Sequence, residues 1–176
     1  MGFINWVPVK PYLTERMDHN MFFTCLFPSP VGPLRLVGTG HGLTQLLFSG
    51  QPAPPEAAEE ETPLLRQAVL ELEEYFDRRR KSFTVPLCPK GTPFQQKVWT
   101  ALQAIEYGQT VSYQYIASQI GNPAAVRAVG QANGKNPIPI FIPCHRVIAA
   151  GGSLGGYSLG LDVKRKLLAL EGVSIK

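Results

Sequence analysis

The sequence predicts a mixed α/β chain of the α+β kind: a small antiparallel sheet covered by one helix, then a mostly helical half built around a helix-turn-helix. Three observations predict this. Short apolar runs bounded by Gly and Pro fill residues 21–48, one amphipathic helical pattern follows at 62–80, and beyond Lys90 helical patterns replace strands altogether. The boundary falls in PLCPKGTP, giving a sheet-plus-helix domain over 1–90 and a helical domain over 91–176.

Residues 1–20 read as a loose lead. MFFTCLF, PLRLVGTG and LTQLLF read as antiparallel strands joined by tight turns, the first turn being PSPVGP. QPAPPEAAEEE at 51–61 is proline-rich and acidic and reads as an exposed linker. Thr62 caps the first helix and Pro63 occupies its first position. Leu65, Val69, Leu72 and Phe76 keep helical spacing, and Arg78 to Arg80 are expected at its C-terminal end, where the helix dipole favours cations.

In the second half Thr92-Pro93 opens a helix whose stripe is Phe94, Val98, Leu102 and Ile105, with Gly108 as its stop. Ser112 caps SYQYIASQI, Gly121-Asn122-Pro123 breaks it, and AAVRAVGQAN forms a further short helix. Two short helices joined by a tight turn make a helix-turn-helix pattern. The second of them is small-sided, with Arg127 as its one charge. Such a helix suits close approach to a nucleic-acid backbone and equally suits tight packing on a neighbour.

Composition narrows the partners. Residues 1–90 hold nine Lys or Arg against ten Asp or Glu, whereas residues 91–176 hold eight against three. The basic second half suits an anionic partner such as nucleic acid. No segment approaches the roughly 18 apolar residues of a membrane helix, and the first ten residues lack a secretory apolar run. Trp6 breaks the myristoylation pattern that Met1-Gly2 begins. The expectation is a soluble cytoplasmic protein, nuclear if eukaryotic, without membrane partners. Three scattered cysteines exclude a disulfide framework.

NPIPIFIPCHRVI alternates proline with aliphatics. Each proline lacks an N–H donor, so this stretch reads as an extended segment ending in a turn rather than a central strand. Cys144 at such a turn is expected in an open cleft, and His145 beside it supplies a base or a charge that lowers a thiol pKa. A lone cysteine is otherwise core filling, and the dipeptide by itself leaves nucleophile, ligand and core filling open.

IPCHRV, the upstream GNPAAVRAVGQANGKNP, the downstream GGYSLG and the final LLALEG together resemble the O6-alkylguanine-DNA alkyltransferase family, also called methylated-DNA-protein-cysteine methyltransferases. The match spans about Gly91 to Gly172, while the N-terminal part is similar in outline only. The resemblance implies a ribonuclease-H-like first domain and a winged helix-turn-helix-like second one. It makes Cys144 the alkyl acceptor, His145 the group that takes its proton through a water, Glu171 the orienter of that histidine, and Asn136 the brace of the active-site turn.

It further implies that the alkylated base is turned out of duplex DNA, with Arg127 filling its place and Tyr113 donating to the guanine ring. Tyr157 and Ser158 wall the base pocket, and the Val147 and Cys144 carbonyls receive the guanine amine. Leu159 departs from the glycine the family commonly carries in this loop; leucine is bulkier and less tolerant of positive φ, so the departure bears on pocket width and on the tolerance of large alkyl groups. Cys25, Cys88, His19 and His41 do not reproduce the clustered zinc set of some relatives, so neither metal nor cofactor is expected. The partner implied is double-stranded DNA containing alkylated guanine, and the protein is expected to be a monomer that acts once. Rival readings are a binding-only relative, in which the acceptor cysteine would be replaced, a helix-turn-helix regulator, and a thiol hydrolase with an oxyanion hole.

Overall fold

The computed structural model describes residues 21–174; the lead at 1–20 lies outside the described residues. Strands β1 (Phe23–Phe27), β2 (Leu34–Thr39) and β3 (Gly42–Phe48) form an antiparallel meander. Alternation explains it: Leu34, Leu36 and Leu46 turn inward and pack under the helix that follows. The acidic segment is more than a linker. Its residues Ala58–Glu59 form β4, which pairs parallel with β1, so the sheet order is β3-β2-β1-β4 and one pairing is not antiparallel. Arg35 reaches across to Glu59 at 2.9 Å and helps hold that edge.

Helix α1 (Pro63–Phe76) starts as its sequence dictates: Thr62 Oγ1 accepts from the Leu65 N–H at 3.3 Å, and Pro63 gives up a donor that has no partner there anyway. It buries Leu65, Ala68 and Leu72 in the core it shares with the sheet, and Tyr75 beyond them. The helix stops before the arginines. Arg78 adopts φ 60°, and Arg79 and Arg80 fold back onto Glu74 and Asp77. Local carboxylates outcompete the helix dipole as partners for these cations.

Helix α2 (Pro93–Gln103) opens on a reciprocal capping box between Thr92 and Gln95. Then follow β5 (Val111–Ser112), α3 (Tyr113–Gln119), α4 (Val126–Gly134), a 3₁₀ turn at Cys144–Arg146, β6 (Val147–Ile148) and α5 (Leu161–Leu170). The Trp99 indole donates to the Ala132 carbonyl at 2.9 Å and locks α2 onto α4. Helix α4 turns Val129, Ala132 and Asn133 inward and leaves Arg127, Ala128, Gln131 and Gly134 exposed, so its small outer face is open surface. One apolar cluster runs through both halves, from Phe23 and Leu36 to Ile142 and Leu167. No helix among the described residues is long and apolar enough to cross a membrane.

Candidate active site

The cysteine sits at the end of a braced loop. Pro137 and Pro139 lack donors, so residues 136–143 cannot pair as a strand and must be held by side chains. Asn136 does this at both ends: its Nδ2 donates to the Ile142 carbonyl at 2.8 Å, and its Oδ1 accepts from the Ile138 N–H at 3.0 Å. Between them Ile140 is fully buried at φ 74°, a conformation unfavourable for a β-branched residue. The Leu46 N–H of β3 donates to the Pro137 carbonyl at 2.9 Å and anchors the loop from the sheet side.

Cys144 and His145 lie on a 3₁₀ turn rather than on a strand, where their side chains would point to opposite faces. Cys144 is 2% exposed rather than open in a cleft, because Tyr157 lies over it with its hydroxyl 3.9 Å from Sγ. The Asn133 amide donates to the Cys144 carbonyl at 3.4 Å from below. Burial raises the thiol pKa, against the smaller lowering influences of Asn136, Tyr157 and Lys164.

Behind the cysteine lies a saturated carboxylate. Glu171, the C-cap of α5, is buried and accepts from Tyr75 Oη (2.7 Å), His145 Nε2 (2.7 Å), Arg146 Nε and Nη2 (2.9 and 3.0 Å) and the Gly108 N–H (3.1 Å). Burial opposes its charge, but the His145 and Arg146 hydrogen bonds prevail and hold its pKa down at about 2. Gly108 needs φ 76° to present that N–H, and an added Cβ would come 3.1 Å from the Glu171 carbonyl.

An ionised carboxylate only accepts, so His145 Nε2 carries the hydrogen and Nδ1 is left as a bare acceptor. That Nδ1 is buried without a protein hydrogen-bond partner. Burial lowers the imidazole pKa despite the pull of Glu171, so at neutral pH the resting pair is a thiol and a neutral imidazole. The chemistry available is proton transfer from Cys144 to Nδ1, with Glu171 fixing the tautomer and stabilising the imidazolium that forms.

Two family models match the chain: 6-O-methylguanine DNA methyltransferase, ribonuclease-like domain, over residues 23–89, and the DNA binding domain of the same description over 93–173. A methylated-DNA-protein-cysteine methyltransferase of Methanosarcina acetivorans is 48% identical over 153 residues, covering 85% of this chain and 98% of the relative. The constitutive enzyme of that name from Bacillus subtilis is 44% identical over 155 residues, with coverage of 84% and 94%. Among solved structures, the Mycobacterium tuberculosis protein in complex with DNA superposes with a TM-score of 0.78 at 48% identity, covering 85% of this chain and 91% of that one. The chain belongs to the O6-methylguanine-DNA methyltransferase family.

A cavity of about 390 Å³ is lined by Tyr113, Gly130, Asn133, Gly134, Gly156, Tyr157 and Ser158. Pairing of β5 with β6 sets Val111 opposite Val147 and so delivers Tyr113 to this wall. Its hydroxyl lies 3.5 Å from the Gly156 carbonyl, and burial raises its pKa, so it remains a donor. The larger cleft of about 840 Å³ between α2 and α3 shares only the β5 neighbourhood and contains none of the Cys144 centre.

Leu159 falls elsewhere than the sequence suggested. It lines a neighbouring cleft with Gln45, Lys135 and Pro137, its φ is not positive, and Gly134 and Ser158 belong to both spaces. Leu159 is therefore absent from the lining of the cavity beside Tyr113 and Tyr157. Arg127 lies in the first turn of α4, exposed and without an ion pair or hydrogen bond among the described residues.

Sequence reasoning missed five contributors to this centre: Tyr75, Gly108, Asn133, Arg146 and Lys164. The Lys164 ammonium is fully buried and donates to the Val147 and Leu154 carbonyls at 2.6 and 2.5 Å, clamping the loop that carries Tyr157 onto β6. Burial lowers its pKa to about 8. Arg146 stands inside PCHRV and was visible as a neighbour of the reactive pair. Tyr75 and Lys164 occupy ordinary helix positions with no local signal. Among the described residues no group of three or more His, Cys, Asp or Glu comes together; His19 lies outside them.

Proposed function

We propose that this protein repairs duplex DNA by transferring the alkyl group of O6-alkylguanine irreversibly to its own Cys144, once per molecule, with the damaged base turned out of the helix. The family's activity, DNA repair by alkyl transfer to a protein cysteine with DNA as the partner, is the activity of this chain. The observation that carries the finer reading is the His145 ring, whose Nε2 is committed to Glu171 while its buried Nδ1, on the residue that follows Cys144 in the 3₁₀ turn, lacks a protein partner.

The step balances simply. Cys144 gives its proton to His145 Nδ1 through a water, Sγ attacks the alkyl carbon, the S–C bond forms as the C–O6 bond breaks, and the electron pair leaves on guanine. Tyr113 donates to the guanine ring as that charge develops, and a backbone N–H at Ser158 serves O6. The Cys144 and Val147 carbonyls favour a base with a 2-amino group, so O4-alkylthymine, which offers none, should react more slowly. The product is a thioether, stable and uncharged, and no residue of the centre is a reductant or nucleophile that would regenerate the thiol.

Burial of the thiol supports base turning, because an alkyl carbon inside a base stack cannot reach a 2% exposed sulfur. The exposed small face of α4 with its free Arg127 supports entry of that helix alongside DNA, where the arginine would occupy the vacated stack. Nothing in this scheme needs a second copy, and we propose a monomer. Incubation with duplex DNA containing O6-methylguanine, followed by intact and peptide mass measurement, tests the reading. One methyl per protein on the Cys144 peptide, saturating at one equivalent and absent from Cys144→Ser, is expected. Turnover beyond one equivalent, or methylation elsewhere, would refute it.

A further inference from the structure

The hydroxyl of Tyr75 has no packing reason to exist. Its ring is fully buried among Phe76, Phe83 and Tyr107, with centroids 5.4, 5.5 and 6.1 Å away, and phenylalanine would fill the same space. A buried hydroxyl demands an acceptor, and this one donates to Glu171 Oε1 at 2.7 Å, across 96 residues of sequence and from the opposite half of the chain.

Oε1 is also the oxygen that holds His145 Nε2 at 2.7 Å, with Arg146 Nη2 as its third donor at 3.0 Å. A carboxylate offers roughly four lone-pair directions, and Glu171 receives five donors. The donors therefore compete. Each one that draws on Oε1 weakens its pull on the His145 N–H and so makes Nδ1 a weaker base. Each also fixes the plane of the carboxylate and hence of the imidazole.

We infer that Tyr75 is a positioning residue of the transfer centre: its hydroxyl holds the Glu171 carboxylate in plane and moderates the basicity of His145. The first half of the chain thereby completes a site whose reacting atoms all lie in the second. The same half braces the cysteine loop at two further points, the Leu46 N–H on the Pro137 carbonyl and the Phe83 ring 4.5 Å from that of Phe141. The inference rests on the proton relay proposed above.

Other charged and titratable groups face the relay and stay constant in the test. They are Arg146 and Cys144 on the 3₁₀ turn, Tyr107 after α2, Tyr157 on the pocket loop and Lys164 on α5. Single-turnover methyl transfer from O6-methylguanine duplex is measured from pH 5.5 to 9 for the wild type, Tyr75→Phe and Tyr75→Leu. The His145 ring is titrated by NMR in each, alongside thermal unfolding.

Tyr75→Phe should fold and unfold near the wild-type temperature and transfer several-fold more slowly at its plateau. The midpoint of its acid limb and the His145 titration should both move up by roughly half a pH unit. Tyr75→Leu should lose stability as well, and restoring the ring as Phe should recover that stability but not the midpoint. Unchanged His145 titration in Tyr75→Phe, or slower transfer without a midpoint shift, overturns the inference and leaves Tyr75 as packing. Failure of the wild type to transfer any methyl would instead refute the relay itself, a result separable because the NMR titration needs no substrate.

Discussion

Replacing Glu171 by glutamine tests the electrostatic core of the site. The carboxylate pKa is about 2 in the folded chain against an ordinary 4.5. At about 1.36 kcal/mol per unit, its charge contributes roughly 3 kcal/mol to stability at neutral pH. The folded pKa is depressed, so the unfolded chain binds the proton first as pH falls. The contribution is whole above pH 4.5 and disappears as pH drops through 4.5 towards 2. Glu171→Gln should lack that part of the pH dependence and should also strand the Arg146 guanidinium, buried to 6% side-chain exposure. An unpaired buried charge costs about 3–5 kcal/mol. Urea unfolding of both proteins at pH 7, 5, 4 and 3 is the assay, and the difference between the two curves should shrink as pH falls from 5 to 3. Single-turnover transfer should slow by roughly 10²- to 10⁴-fold, the usual contribution of a positioned base, here His145, which Glu171 orients. Parallel stability curves across that interval, or transfer within threefold of wild type, would refute the assignment of Glu171 as the ionised orienter.

Arg127→Ala should lower the transfer rate on duplex DNA by about tenfold while leaving reaction with a free O6-alkylguanine base unchanged, since nothing must be held out of a stack there; comparing the two rate constants checks it. Iodoacetamide should modify exposed Cys88 well before buried Cys144, as peptide mass mapping over time will show, and Cys144 labelling should accelerate only as pH rises past the ordinary thiol range. Glu71→Ala should destabilise by about 3 kcal/mol at neutral pH in urea unfolding, because it leaves the Thr84 and Val85 N–H groups without their acceptor. Burial works against the Glu71 charge, but hydrogen bonds from Thr84 and Gln67 hold its pKa down, so this contribution also disappears in acid.

Elements whose cause is local were legible. Thr62-Pro63 and Thr92-Pro93 carry their own caps, and both helices begin where those residues say. The end of α1 was not legible, because Arg78 turns the chain out of the helix and Arg79 and Arg80 fold back onto Glu74 and Asp77, partners that a dipole argument does not contain. Nor was β4, a two-residue strand whose only reason to be extended is the free edge of β1. At the site, Cys144 and His145 could be singled out as a reactive pair, and the turn could be inferred from the prolines. By spacing alone Glu171 looks like any charge at a helix end, and only the resemblance of LLALEG singled it out; in the structure Arg146, Gly108 and Tyr75 arrive around it. Those contacts join residues 25 to 96 positions apart, and no periodicity encodes them.

The arrangement also explains how a thiol can be both acceptor and quiet. A permanently ionised cysteine would react with any soft electrophile that reached it, and burial of Cys144 disfavours that state. The imidazole is neutral for the same reason, so charge appears only when the proton crosses from Sγ to Nδ1. Glu171 cannot absorb that proton, because five donors and a pKa near 2 keep it ionised. In the proposed relay the proton therefore stops on His145, the imidazolium is stabilised by a fixed carboxylate, and the thiolate would exist beside a compensating charge only while an alkyl carbon is at hand to consume it. Under the single-turnover transfer proposed above, a centre built this way needs fast chemistry only once.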